Sequence, residues 1–133
     1  MYYFAYATNL SRKQMRERCP ESQPGFRATL PNYRLIFAGW SRQWRGGTAS
    51  IKPFQGDRVP GAVYELSERD LRRLDRHEGY PTLHNRINVL VITEEGEGIR
   101  AQTYIRREQS DETPPSREYL AVIQQGYHDW EIT

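Results

Sequence analysis

Glu65-Leu-Ser-Glu-Arg-Asp-Leu-Arg-Arg-Leu-Asp-Arg-His-Glu-Gly-Tyr80 carries its own start and stop signals. Ser67, with Asp70 three residues later, forms a capping box in which the serine oxygen accepts from a backbone N–H that a first helical turn leaves unpaired. Gly79 is the residue expected just past a helix end. Together they predict a helix from about Glu68 to Glu78. At about 100° per residue, Leu71, Leu74 and Glu78 share one face, and Arg69, Arg72, Arg73 and Arg76 take the solvated side. A carboxylate is therefore placed with two leucines, facing the core.

That position disfavours the anion twice, through desolvation and through the negative end of the helix dipole. Both raise the pKa, which suits a glutamate to proton transfer near neutral pH. The helix alone leaves a second reading open, in which Glu78 closes the apolar stripe and leans out to water.

The chain has 133 residues, enough for one domain with a genuine core and too few for two ordinary ones, so residues 1–133 are expected to form a single domain. Hydrophobic residues make up 37% and charged residues 27%, and no apolar run is long enough to span a membrane. Met1 leads straight into Tyr-Tyr-Phe-Ala-Tyr without a basic segment or cleavage site, so a cytoplasmic protein is expected. Cys19 is the single cysteine, which excludes an intrachain disulfide. Nineteen basic residues are interleaved with 17 acidic ones for a net charge of +2, without the like-charge run of a nucleic-acid protein.

Tyr2 to Ala7 alternates as a first strand, and a helix from about Ser11 to Cys19 follows, with Asn9 or Ser11 as its N-cap. Where a strand end gives onto a helix start, unpaired N–H groups are available to a carboxylate or oxyanion; a plain turn is the competing reading. After a turn-rich link at Pro20 to Pro24, Phe26 to Leu30 and Asn32 to Trp40 read as strands, the second with Tyr33, Leu35 and Phe37 on one face. Ser41 to Gly47 reads as a loop, and Trp40 and Trp44 with Arg42 and Arg45 suit either the edge of a small-molecule pocket or stacking on single-stranded nucleic acid, the first being favoured. Ala49 to Pro53 is a short strand, Gln55-Gly56-Asp57 a turn, and Val59 to Leu66 a strand that Pro60 places at an edge. Ile87 to Thr93 has apolar residues at both parities and is expected to be buried on both faces. Glu94 to Gly98 is a hairpin turn, Ala101 to Arg106 the return strand with Tyr104 central, and Gln109 to Pro115 a polar loop. Ser116 opens a last helix ending near Gly126, whose Tyr119, Leu120, Ile123 and Tyr127 read as core. This order suits an α+β domain on one curled sheet.

Metal-ligand spacings, dinucleotide and phosphate loops and a serine elbow are all absent, so neither metal nor cofactor is expected. Cys19 reads as a small buried residue rather than a nucleophile. Catalysis would rest on a carboxylate and backbone donors.

Tyr3-Phe-Ala-Tyr-Ala-Thr-Asn-Leu10 resembles the YFAYGSNL signature of the γ-glutamylcyclotransferase family, a group that includes the AIG2-like proteins. Arg45 to Ile51, Val59 to Leu66 (V-x-G-x-V-Y-x-L), Leu74 to Pro81 (LDxxEGYP), Tyr104 and Pro114 to Leu120 (PPSxxYL) continue the resemblance in order along almost the whole chain. It implies a small mixed β-barrel with flanking helices, and a reaction converting a γ-glutamyl amide into 5-oxoproline and a free amine. Glu78 then falls on the family's general base. Tyr6, Ala7, Thr8 and Asn9 would hold the substrate's oxyanion and carboxylate, and Tyr104 would bond substrate or Glu78. The implied partner is a small-molecule γ-glutamyl substrate, with no nucleic acid and no membrane, acted on by a monomer or weak homodimer. Ala7 stands where the family has glycine; if that position needs φ > 0, the methyl group strains the loop, and a catalytically impaired AIG2-like binding protein is the alternative. His84 stands near a tyrosine of many relatives, at the expected pocket rim.

Overall fold

Two long strands build most of the barrel: β2 (Gln23–Ser41) and β3 (Gly46–Glu65) pair antiparallel over nearly their full lengths. With β1 (Tyr2–Ala5), β4 (His84–Thr93) and β5 (Gly98–Arg106), they close a five-strand mixed barrel in the order β1-β3-β2-β4-β5. The closing contact, Tyr3 against Gln102, is parallel, whereas the other pairings are antiparallel. Helices α1 (Arg12–Arg18), α2 (Glu68–Glu78) and α3 (Arg117–Asp129) flank it, with a 3-10 turn at Thr8–Leu10. The computed structural model describes residues 1–108 and 111–133.

Period-two alternation in β1 sets the layers. Phe4 and Tyr6 enter the barrel interior with Ile51, Val63, Val89 and Val91. Tyr3 and Ala5 face the opposite way, into a second cluster with Leu10, Met15, Leu74 and Trp130 under the helices. Helix α2 has the expected bounds: the Ser67 hydroxyl accepts from Asp70 N–H, and Gly79 ends the helix at φ 68°, in the left-handed region glycine adopts without a Cβ clash.

Several expectations are corrected. The first strand ends at Ala5, since the 3-10 turn takes the chain from Thr8. The first α-helix, by contrast, lies where it is expected, at Arg12–Arg18 between an N-cap at Ser11 and a C-cap at Cys19. Phe26–Leu30 and Asn32–Trp40 are one strand, and so are Ala49–Pro53 and Val59–Leu66, because Gln55-Gly56-Asp57 is a bulge: Gly56 N–H donates to Asn32 Oδ1 at 3.0 Å and pairing resumes on either side. Pro60 lies within β3, beyond the point where β1 stops covering that edge at Ala62. The fourth strand is not buried on both faces: Leu90 is 52% exposed, and among the described residues no β4 side chain joins the helix-covered cluster. Gln109 and Ser110 lie outside the described residues; from Asp111 onward the expected loop pairs with β2, with Thr113 N–H donating to Phe37 O at 2.9 Å. The last helix runs on to Asp129.

Candidate active site

Asn9 is the hub of the site. It is buried in the 3-10 turn, and its side-chain amide is held from both ends. Oδ1 accepts from Gln14 Nε2 and Arg18 Nη1, each at 3.1 Å, while Nδ2 donates to the Tyr3 hydroxyl at 2.9 Å and to Glu78 Oε1 at 3.0 Å. With its acceptor occupied, the amide can only present donors to the carboxylate. The segment after β1 and the last turn of α2 thus meet at one hydrogen bond.

Glu78 projects into a cavity of about 240 Å³ at the end of β1, where the barrel interior meets the helix layer. Its side chain keeps 21% exposure, enough to reach a bound molecule. Burial pushes its carboxyl above the ordinary glutamate range, opposed in turn by His84, by Arg18 and by the Asn9 hydrogen bond. His84 is a neighbour of the carboxylate rather than a rim residue: Nδ1 donates to Glu78 O at 2.6 Å, a carbonyl being able only to accept, and lies 4.0 Å from Oε2.

Tyr6, Ala7, Thr8 and Tyr104 all line the cavity with Glu78 and Asn9. Ala7 has φ −134°, outside the left-handed region that a glycine requirement at this position would have implied. Tyr104 does not bond Glu78. Its hydroxyl donates to Asp75 Oδ1 at 2.6 Å, and Asp75 Oδ2 pairs with Arg86 at 2.5 Å, which ties β5, α2 and β4 together behind the base. Burial, and then Asp75, raise the Tyr104 pKa far above that of an ordinary phenol. The Tyr6 hydroxyl is likewise engaged, donating to Tyr104 O at 2.8 Å.

The sequence reading missed Tyr3, Arg18, Tyr119 and Arg106 as cavity residues. Tyr119 was read as core, and its ring does pack edge-on against Trp44 at 5.2 Å between centroids, but its hydroxyl accepts from Ala49 N–H at 2.8 Å and forms part of the wall. Trp40 and Trp44 line the cavity, as the pocket reading of their loop expected. Cys19 is fully buried, with its thiol pushed up to about 12 by burial and then by Asp70, which disfavours the thiolate. Among the described residues no helix is long and apolar enough to cross a membrane.

A five-strand mixed barrel with three flanking helices is the γ-glutamylcyclotransferase-like fold. A solved structure described as a γ-glutamyl cyclotransferase superposes with a TM-score of 0.93 at 30% identity, covering 98% of this chain and 79% of that one. The family model described as "Gamma-glutamyl cyclotransferase, AIG2-like" matches residues 3–129, and the chain belongs to that family. The γ-glutamylcyclotransferase of Homo sapiens is 33% identical over 129 residues, or 93% of this chain and 68% of that protein. The Bos taurus protein of the same name matches at the same identity and coverage.

Proposed function

We propose that the protein is a cofactor-independent γ-glutamylcyclotransferase, converting a γ-glutamyl amide into 5-oxoproline and an amine with Glu78 as the proton carrier. The observation carrying this reading is the Glu78 carboxylate itself: raised in pKa, oriented by Asn9, and open to a cavity of small-molecule size. The substrate folds so that its α-ammonium faces Glu78, which takes one proton. The freed amine attacks the γ-carbonyl carbon, closing a five-membered ring. The tetrahedral oxyanion is held by N–H groups of the Tyr6 to Asn9 segment, where the opening amides of the 3-10 turn have no earlier partner within the turn. Expulsion of the amide nitrogen breaks the old C–N bond, and Glu78 returns its proton to the leaving group. Overall the α-nitrogen gives up two protons and the leaving nitrogen gains two, so the products are the lactam and an ammonium with no net proton exchanged. Holding both ends of a short chain in one cavity supplies the proximity that ring closure needs.

The negative φ of Ala7 counts against the strained-loop form of the impaired binding protein, and leaves the methyl group in the cavity wall as its remaining support. The test is release of 5-oxoproline by the purified protein from a panel of γ-glutamyl amino acids and γ-glutamylamines. Release from at least one is expected, and no release from any would overturn the reading.

A further inference from the structure

Ring closure moves more protons than one carboxylate can hold. The α-nitrogen gives up two and the leaving nitrogen gains two, whereas the Glu78 carboxyl carries one at a time. Among the described residues lining the cavity Glu78 is the single carboxylate, so a second carrier within the protein must be another titratable side chain there. Arginine offers only donors, which excludes Arg18 and Arg106. The phenols of Tyr3, Tyr6, Tyr104 and Tyr119 are all raised above the ordinary range, by burial first, and stay neutral. His77 and His84 are what is left.

His77 lies on the exposed side of α2, whereas His84 is 8% exposed and stands against the carboxylate. His84 Nδ1–H donates to Glu78 O at 2.6 Å, and the same nitrogen is 4.0 Å from Glu78 Oε2. A neutral ring with Nδ1 protonated keeps its lone pair on Nε2. Nε2 has no hydrogen-bond partner among the described residues, and it is not one of the sealed side-chain atoms that lack one, so it opens on the cavity that His84 lines. Besides the phenols, the charged or titratable groups around it are Glu78 and His77 on α2, Arg18 on α1 and, directly opposite in the β4–β5 register, Arg106.

We infer that His84 is the second proton carrier of the reaction, working through Nε2 beside Glu78. This rests on the cyclotransferase reading above. Once the amine has attacked, the ring nitrogen and the leaving nitrogen are bonded to one carbon, within reach of the same two side chains. Glu78 gives its proton to the leaving nitrogen. The ring nitrogen, which still carries two hydrogens and a positive charge, passes one hydrogen to Nε2 as a proton. The C–N bond breaks with its electron pair on the departing amine, and the oxyanion reforms the carbonyl. The imidazolium thus forms when Glu78 is again an anion, and the 4.0 Å between Nδ1 and Oε2 lets the two charges pair. Nε2 then protonates the free amine, and both side chains regain their starting forms with no net proton exchanged.

His84→Asn tests this, because an asparagine amide can keep the donor to Glu78 O while the titratable nitrogen is lost. On the fastest substrate of the γ-glutamyl amino acid and γ-glutamylamine panel, kcat should fall by about 10²-fold or more with little change in the melting temperature. The acid limb of log kcat/KM against pH should steepen to a slope of about two in the wild type, for two groups that must both be unprotonated, and of about one in His84→Asn. His84→Ala opens space beside Glu78, and added imidazole should raise its turnover by about tenfold or more. His77→Asn should stay within about threefold of wild type. Wild-type kcat in His84→Asn would overturn the inference and leave the cyclotransferase reaction standing. So would a loss that imidazole does not restore and that leaves the slope unchanged, or a loss that follows His77 instead. Release of 5-oxoproline from no member of the panel by the wild type would overturn both.

Discussion

Asn9 Nδ2 donates to Glu78 Oε1 at 3.0 Å across 69 residues of sequence, and this bond joins the segment after the first strand to the end of the α2 helix. Its geometry has one solution because Gln14 and Arg18 hold the other end of the amide. The carboxylate is thereby aimed while its second oxygen, 4.0 Å from His84 Nδ1, is left nearer to the cavity than to a tight partner. Opposed effects set its proton affinity, with burial prevailing over His84, Arg18 and Asn9.

Glu78→Gln keeps the shape and the acceptor for Asn9 but removes the base. Loss of a general base costs about 10² to 10⁴ in rate, and kcat for 5-oxoproline release should fall by that much. Stability should change in the other direction. The folded-state pKa is raised, so the native protein binds the proton more tightly than the unfolded chain, and wild-type stability declines as pH rises through the interval from the ordinary glutamate value to the raised one. The glutamine variant should therefore be the more stable protein at neutral pH, and that advantage should vanish below about pH 4. Thermal melts at both pH values, beside rate assays, check the pair of outcomes; near wild-type turnover by the variant would sink the mechanism.

The pH dependence of kcat/KM should show an acid limb above the ordinary glutamate pKa of about 4.3, since the carboxylate must be ionised to accept a proton. Arg18→Met removes a positive charge that favours the ionised form, so the limb should move to still higher pH. A limb below the ordinary value would mean a solvated or tightly paired Glu78. A limb that ignores Arg18 would mean that another group is being titrated.

Tyr104→Phe separates a residue that touches substrate from one that supports the site. The hydroxyl is committed to Asp75, whose other oxygen is held by Arg86. Removing the donor leaves a partly buried carboxylate short of one bond, at a cost of about 1 to 3 kcal/mol in stability. Turnover below the melting transition should fall by less than about tenfold, well short of the loss expected for a proton carrier. A loss of 10² or more with unchanged stability would instead assign the hydroxyl to the reaction.

Local signals made the α2 helix legible in the sequence: a cap, a stop and a 3.6-residue stripe fixed its bounds and put Glu78 on the inner face. The sequence pattern breaks the β2–β3 hairpin into four pieces, at Pro31 and at Gln55-Gly56-Asp57, and only the cross-strand bond from Gly56 N–H to Asn32 Oδ1 turns the punctuation into a bulge. Tyr104 was placed at the site by resemblance, but its bond to Asp75 depends on the packing of α2 over β5, which no spacing encodes. Arg18 looks like the other surface arginines for the same reason, and only its bond to the Asn9 amide oxygen brings it to the site.

Ala7→Gly restores the residue that the family motif carries, and its outcome follows from one dihedral. Had Ala7 been forced to positive φ, glycine would have relieved about 1 to 2 kcal/mol of strain, and activity could have risen ten- to thirtyfold. Its φ is −134°, outside the left-handed region, so the structure offers no left-handed strain for glycine to release. The substitution mainly gives the unfolded chain more freedom, lowering stability by about 0.4 to 1 kcal/mol. It also takes one methyl group from the cavity wall beside Tyr6 and Thr8, which leaves the Asn9–Glu78 bond untouched. The expected result is a slightly less stable protein whose kcat/KM stays within about threefold of wild type, a change of about 0.7 kcal/mol in the barrier. Side-by-side assay on one γ-glutamyl amide with matched thermal melts decides it. A gain of tenfold or more would show that the methyl group obstructs the substrate and would revive the impaired binding protein as the better description of the wild type.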